Sequence, residues 1–536
     1  MEFDCIGFRE IPHSTKLFST FLEDFAKVGA YYAHPPSENG VLASAREAKI
    51  SPETRRALVE ILREQSRRFG ADESAEKNLA RFAAGAAAIV TGQQVGLFGG
   101  PAYSFYKAIT AAAWAKKLSD AGVETVPIFW LATEDHDLAE INHCFWPRRA
   151  GLTRLEIPAK ESDLGHRAGE VALGDAVTQA AEAAASALEG PFALEIAAAL
   201  RETYRPAENF GSAFGKLMST ILRGRGILFF DPLDPRVHRL SEGIYRRAIE
   251  EADPLASDLI ARSKKLERAG FHAQVKIAES STLLFMSVRG RREPLRRKNG
   301  EFIAGGERFT RADLLANLES QPELFTPNVL LRPVVQDALF PTATYIAGPA
   351  EIAYFAQASV VYARLGVRMP ATAPRASFTL IEPRLARLLN KYKIEFRDVL
   401  RGKQHLHSRM ALEFLPRGLR SRFERDEKAM RDLLRKLRAP VARLDKSLAG
   451  AVTTAELKML YQFSKLRRKA GDAENFRTGL LSRDERILAE ALYPNRALQE
   501  RSLSLLPFLA LHGPELFDLL SSRALESPAQ HTLLFL

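Results

Sequence analysis

Cysteine is almost absent. Cys5 and Cys144 are the only two in 536 residues. Two thiols build neither a disulfide framework nor a thiolate-rich zinc site, so zinc is not expected. Long apolar runs are missing too. None reaches the roughly 18–20 residues that a spanning helix needs, so no membrane partner is expected. The start, Met1-Glu2-Phe3-Asp4-Cys5, has no basic stretch ahead of an apolar one, so no signal peptide is expected. Together these absences point to a reducing, cytoplasmic setting. No Walker A loop, GxGxxG turn, serine elbow, HExxH or EF-hand pattern occurs.

What is present is globular. The apolar share of 46% and the charged share of 26% fit a folded chain with a large core. At roughly 150 residues per domain the length allows three or four domains. The net charge of +11 is unevenly placed. Residues 376–480 hold 25 Lys/Arg against 12 Asp/Glu, a net +13, while the rest carries 51 against 53. Such a segment reads as a solvated, ion-paired helical face or as a polyanion-binding arm. Few aromatics interleave with its charges, so nucleic acid is not the expected partner.

Residues 1–85 read as helical, with a break at His34-Pro35-Pro36. Then short apolar runs alternate with helices. The runs are Ala86–Val90, Thr125–Ala132, Gly226–Phe230, Val329–Val335 and Ala343–Ala347, with helices at Pro101–Leu118 and Pro349–Leu365. This alternation implies an α/β fold with a parallel sheet covered on both faces. Two stretches interrupt it as insertions, about 150–210 and 255–325. The first holds an Ala-rich helical run, Ala176–Leu200. The second holds strand-like Ala273–Ile277 and Thr282–Val288 and a basic turn, Arg289–Arg292. The core is therefore drawn as 1–375, a basic helical domain as 376–480, and a C-terminal segment as 481–536. The basic domain carries heptads: Leu434, Val441, Leu448 and Ala455 form one seam, and Phe423, Met430, Leu437, Leu444 and Ala451 the other. This predicts a coiled coil kinked at Pro440. Its partner would be the helical run Pro383–Leu400, folded back antiparallel, or a second chain in a dimer.

Three constellations carry chemistry. The first is Thr91-Gly92-Gln93-Gln94-Val95-Gly96-Leu97-Phe98-Gly99-Gly100-Pro101, between a strand and a helix. Glycines let backbone N–H groups approach a ligand, and the helix N-terminus behind them attracts anions. Thr91, Gly92, Gln93, Gln94, Gly99, Gly100 and Tyr103 are candidate binding residues, with Lys107 beyond them as a candidate catalytic cation. The plain alternative is an ordinary strand-to-helix turn. The second constellation is Glu134-Asp135-His136-Asp137, with Glu140, Asn142 and His143 behind it, at the end of the strongest strand. Ligands bind outside that end of a parallel sheet. Crowded carboxylates and an imidazole suit an ammonium group, Mg²⁺ or proton transfer; a solvated capping loop is the alternative. The third is Arg332-Pro333-Val334-Val335-Gln336-Asp337 with Gly348-Pro349-Ala350-Glu351 and Tyr354. Arg332 suits a carboxylate, and Glu351 suits a helix dipole, an amine or a ribose. Gln336, Asp337, Gly348, Glu351 and Tyr354 complete this set.

These words, in this order, resemble one family, the bacillithiol biosynthesis cysteine-adding enzyme BshC. The matching stretches are Val90–Gln94, Gly96–Phe98, Gly100-Pro101, Phe129–Ala132 running into Glu134–Asp137, Glu140–His143, Leu331–Asp337, Gly348–Ile352 and Leu498–Arg501. They span nearly the whole chain. The resemblance implies a Rossmann-like, nucleotidyltransferase-like core with two insertions and a coiled-coil domain that pairs protomers. It implies a ligase that joins the carboxyl of cysteine to the amine of glucosaminyl malate. On that reading the cysteine ammonium faces Asp135 or Asp137, His136 is the first choice of base and Glu134 the second, and Arg332 meets malate. The related cysteine-activating enzymes carry HIGH and KMSKS motifs and a zinc, none of which is matched here. ATP with Mg²⁺ therefore stands as a candidate co-substrate, not one fixed by analogy. Enzymes of the same core acting on another amine or acid, and nucleotide- or nucleic-acid-binding proteins, are the competing readings.

Overall fold

The computed structural model describes residues 3–148, 151–415, 417–445, 448–478 and 480–536. Met1, Glu2 and residue 150, used above for the leader and an insertion boundary, lie outside them. Five short apolar segments form one parallel sheet: β1 (Ala87–Gln93), β2 (Thr125–Leu131), β3 (Leu228–Phe230), β4 (Thr342–Ala347) and β5 (Ala371–Pro374). Their spatial order is β5-β4-β1-β2-β3. The order reverses between β1 and β4, which makes the crevice beyond their carboxyl ends the place where such sheets bind ligands. Nearly every residue of β1, β2 and β4 is buried, because helices cover both faces. One of these is α1 (Tyr103–Asp120), which packs on β1 and β2.

Between β2 and β3 lie a hairpin, His143–Arg148 with Gly151–Glu156, and two helices, Ala176–Ala185 and Ala193–Thr203. The single Ala-rich helix expected there is broken at Gly190-Pro191. Cys144 sits on the hairpin with only 4% of its surface exposed. Between β3 and β4 lie helix Ala252–Arg268 and an antiparallel sheet spanning Ser281–Pro327. Ala273–Ile277 is not a strand but an irregular segment pinned at its middle, where Gln357 accepts from Val275 N at 2.9 Å and donates to Val275 O at 2.9 Å.

Val329–Val335 is not a strand either. It opens helix α2 (Arg332–Leu339), followed by α3 (Pro349–Arg364) after β4. Asn328 starts α2 by accepting from Leu330 N and Leu331 N at 2.9 and 3.0 Å. Pro333 suits the first turn. Its polar residues, Arg332, Gln336 and Asp337, bond within the protein, and eight residues are too few to show a helical period, so the apolar run that opens it misleads.

Strand Gln530–Phe535 lies between Phe3–Gly7, antiparallel, and Phe378–Ile381, parallel. The basic region forms α4 (Arg417–Leu444) and α5 (Leu448–Thr478). The heptad helix, expected to run on through Ala455 with a kink at Pro440, instead breaks after Leu444 and folds on itself, with Pro440 inside α4. Phe423 meets Phe463 while Arg431, two turns on, meets Glu456, which makes the pair antiparallel; the long side chains of Glu427 and Arg467 also meet. The partner of α4 is thus α5 and not Pro383–Leu400. Leu434 and Phe423 are buried in this hairpin, while Leu437 and Leu444 stay exposed. Many of its arginines pair with carboxylates, such as Arg420 with Glu413 and Glu424 and Arg422 with Asp426.

Candidate active site

A cavity of about 770 Å³ opens over the carboxyl ends of β1, β2 and β4. Its floor is built from the centre of the sheet. Gly92, near the end of β1, has no room for a side chain, since a Cβ there would lie 3.1 Å from Trp130 O and 3.2 Å from Trp130 Cβ. At the centre Lys107 reaches from α1 and is fully committed. Its Nζ donates to Gly92 O at 2.7 Å and Gln93 Oε1 at 3.0 Å and pairs with Glu351 Oε2 at 2.5 Å. An ammonium has three protons to give, so none remains for a ligand. Burial lowers Lys107 to about 8. Glu351 also accepts from Tyr345 OH at 2.6 Å and caps α3 through Gly348 N at 2.6 Å. Burial alone would raise its carboxyl, but Lys107 and the Gly348 N–H outweigh that and hold it below the ordinary value. Lys107 and Glu351 thus brace β1, α1 and α3 together.

Arg332 lies beside them, donating to Gln336 Oε1, Tyr345 OH and Tyr354 OH at 3.0–3.2 Å. Its remaining N–H groups have no protein acceptor among the described residues.

The β2 end supplies the acidic wall. Gln94 Nε2 donates to Asp135 Oδ2 and Glu140 Oε2, each at 2.7 Å, clamping two carboxylates side by side. Glu134 is only 6% exposed, lines the cavity, and has no hydrogen-bond partner among the described residues. Burial pushes it up to about 7 against the pull of Arg292 and Arg167. His136 accepts from Arg292 Nη1 on Nδ1 at 2.9 Å. A guanidinium can only donate, so the neutral ring carries its proton on Nε2 and its lone pair is already used. Burial and then Arg292 lower its pKa further below the ordinary value. His136 is therefore a donor in this arrangement, with no free lone pair to act as a base.

Several expected site residues lie off the cavity wall. Thr91 Oγ1 donates to Ile346 O at 2.9 Å and ties β1 to β4. Gly99 N donates to Tyr204 OH at 3.3 Å, and Gly100 N to Leu97 O at 3.0 Å. The Gly-rich loop thus spends these N–H groups internally, with Phe98 stacked edge-on against Tyr204. Gln336 and Asp337 bond to one another, and Asp337 to Tyr362, behind α2. Asp137 does not line the cavity either. Gly92, Gln93, Gln94, Tyr103, Lys107, Glu134, Asp135, His136, Arg332, Gly348, Glu351 and Tyr354 do.

The wall also holds residues that were not singled out as candidates. Arg292, from the second insertion, is buried, donates to Pro327 O at 2.9 Å and stacks 3.8 Å from the Phe285 ring centre. Arg375 enters after β5. Lys276, Arg296 and Arg501 stand at the mouth without an ion-pair partner among the described residues. Nothing local in the sequence marks an isolated arginine as a site residue; only the fold gathers them. Among the described residues no cluster of three His, Cys, Asp or Glu side chains could hold a metal ion.

Two family models match this chain end to end. The bacillithiol biosynthesis BshC N-terminal Rossmann-like domain covers residues 1–376, and the BshC C-terminal coiled-coil domain covers 378–536. The chain belongs to the BshC family. Several BshC relatives are named "Putative cysteine ligase BshC". One from Koribacter versatilis is 39% identical over 99% of each chain. One from Solibacter usitatus is 37% identical over 96% of each. One from Salinibacter ruber is 31% identical over 94% of this chain and 93% of the relative. The BshC boundary at 376–378 falls between β5 and Phe378–Ile381, next to Arg375. No helix among the described residues is long and apolar enough to cross a membrane.

Proposed function

We propose that this chain is an amide-forming ligase that joins the carboxyl of L-cysteine to the amine of glucosaminyl malate. The observation that carries this reading is the split charge of one cavity at the sheet's switch point. Asp135 and Glu140, clamped by Gln94, offer an ammonium site. Arg332, Arg375 and the cations of the mouth offer sites for carboxylates. A substrate pair with one amino acid and one malate matches both walls.

A free carboxylate is a poor acyl donor, so cysteine is activated first, with ATP and Mg²⁺ as the co-substrate this reading names. Its carboxylate oxygen would take an adenylyl group from ATP with release of pyrophosphate, or the γ-phosphoryl group with release of ADP. The glucosamine nitrogen then attacks the acyl carbon, and the tetrahedral intermediate expels AMP or phosphate. The amine proton goes to Glu134, ionised above about pH 7 and lacking a competing donor. His136 Nε2–H and Arg292 face developing negative charge. The basic mouth suits a triphosphate better than the Gly-rich loop does.

The test gives the purified chain cysteine and glucosaminyl malate, with and without ATP and Mg²⁺, and weighs the product. A mass equal to both substrates minus water supports the ligase. No product in any arm overturns it.

The hairpin supports a second proposal, a homodimer. Leu433, Leu437, Leu444, Leu457, Met459, Tyr461 and Leu466 are exposed along α4 and α5. A second copy would cover them. Light scattering should give twice the chain mass, and Leu437→Glu with Leu457→Glu should halve it; a wild-type monomer overturns the dimer.

A further inference from the structure

Arg375 and Glu500 join the two family domains across a buried contact. Side-chain exposure is 5% for Arg375 and 1% for Glu500, and Arg375 Nη2 meets Glu500 Oε1 at 2.6 Å. Glu500 also accepts from Ser377 Oγ at 2.9 Å and Phe378 N at 3.0 Å. Behind Ser377 stands His531, whose ring lies 2.7 Å from Ser377 Oγ through Nδ1 and 2.8 Å from Thr379 Oγ1 through Nε2.

The proton order along this chain is fixed by valence. Ser377 gives its only proton to the carboxylate, so its oxygen accepts from His531 Nδ1–H. Burial lowers His531 to about 4, so the ring is neutral and Nε2 accepts from Thr379. Every link thus points toward Glu500, which accepts from Arg375 as well. The guanidinium is held further by Ala376 O at 2.9 Å and by the Tyr103 ring, 5.4 Å from its carbon. Its other N–H groups have no protein acceptor among the described residues, and it lines the cavity.

We infer that Glu500 is a positioning residue that aims Arg375 at the anionic arm of the amine substrate, so the C-terminal domain completes the Rossmann site. This rests on the glucosaminyl malate reading. A carboxylate serves three donors here, whereas glutamine has one oxygen and turns an N–H toward one of them. Arg375 and Ser377 share Oε1 and Phe378 N takes Oε2, so either orientation of the amide sets an N–H against a donor, and in both the guanidinium loses the charge that holds it.

The test is a double-mutant cycle read by calorimetric binding of glucosaminyl malate to the full chain, with thermal melts in parallel. Arg375→Gln should weaken binding about tenfold or more, and Glu500→Gln about fivefold. In the Arg375→Gln background, Glu500→Gln should cost nothing further. Ser377→Ala gives a milder form of the same result and carries the test should Glu500→Gln fail to fold. Binding by Glu500→Gln or Ser377→Ala equal to wild type overturns the inference, as do losses that multiply in the double variant. No binding by wild type defeats the substrate reading itself, and the inference with it.

Discussion

Two turns lead from the central strands into helices on either side of the switch point. The first, Thr91–Pro101, has four glycines and no acidic residue. The second, Gly348–Glu351, has one glycine and a glutamate. On composition the first is the ligand loop. In the fold only its start, Gly92-Gln93-Gln94, lines the cavity: Gly99 and Gly100 bond within the protein and pack against Phe105, Tyr204 and Ser104, while Gly348 and Glu351 line the cavity. Glycine there answers a packing demand. Gly99 and Gly100 have φ of 83° and 65°, and a Cβ at Gly99 would lie 2.9 Å from Phe105. A glutamate at the second turn answers a charge demand, since Lys107 is buried and must be neutralised.

The contrast can be broken by mutation. The largest effect is expected from Glu351→Ala, which strands Lys107 in the core and uncaps α3. It should cost about 3–5 kcal/mol in urea unfolding and at least a hundredfold in amide formation. Glu134→Gln should lower kcat about a hundredfold or more while leaving the fold intact. Wild-type kcat/KM should rise with pH and level off above about 7, where Glu134 ionises. Stability moves the other way. The folded carboxyl holds its proton to a higher pH than the unfolded one, so stability falls as pH rises toward 7. At pH 8 Glu134→Gln should therefore melt above wild type, by no more than about 3 kcal/mol. At the first turn Gly99→Ala should cost about 1–3 kcal/mol with KM for both substrates unchanged in the folded fraction. Smallest is Tyr204→Phe, which frees Gly99 N–H and should cost about 1 kcal/mol, again without a change in KM. A shift in KM from either of these two would restore the glycine loop to the site.

The sheet was legible because β1, β2 and β4 are short apolar runs between turn residues, a signal that survives without knowing the partner strands. α2 was not, because it is only eight residues long and follows the apolar Val329-Leu330-Leu331, so its helical period is too short to outweigh a strand-like run. The hairpin was misjudged for another reason. Heptad spacing continues through Leu448 and Ala455, but spacing says nothing about the reversal after Leu444. The acidic wall was visible as Glu134–Asp137, since four charged or titratable residues in a row are rare after a strand. The hydrogen bonding of His136 was not visible. It depends on Arg292, 156 residues away, occupying the His136 lone pair. The Lys107–Glu351 pair and the Arg375–Glu500 pair are equally non-local, formed only once the chain has closed on itself.

Cys144 has a consequence for handling the protein. Its thiol is sealed behind the hairpin and burial raises its pKa strongly, so almost no thiolate forms at neutral pH. This sulfur is thus out of reach of mixed-disulfide exchange. An alkylating reagent in excess would find Cys144 only when that part of the molecule opens. The slow phase of labelling is then a clock for the breathing of the first insertion, readable by mass without any added probe.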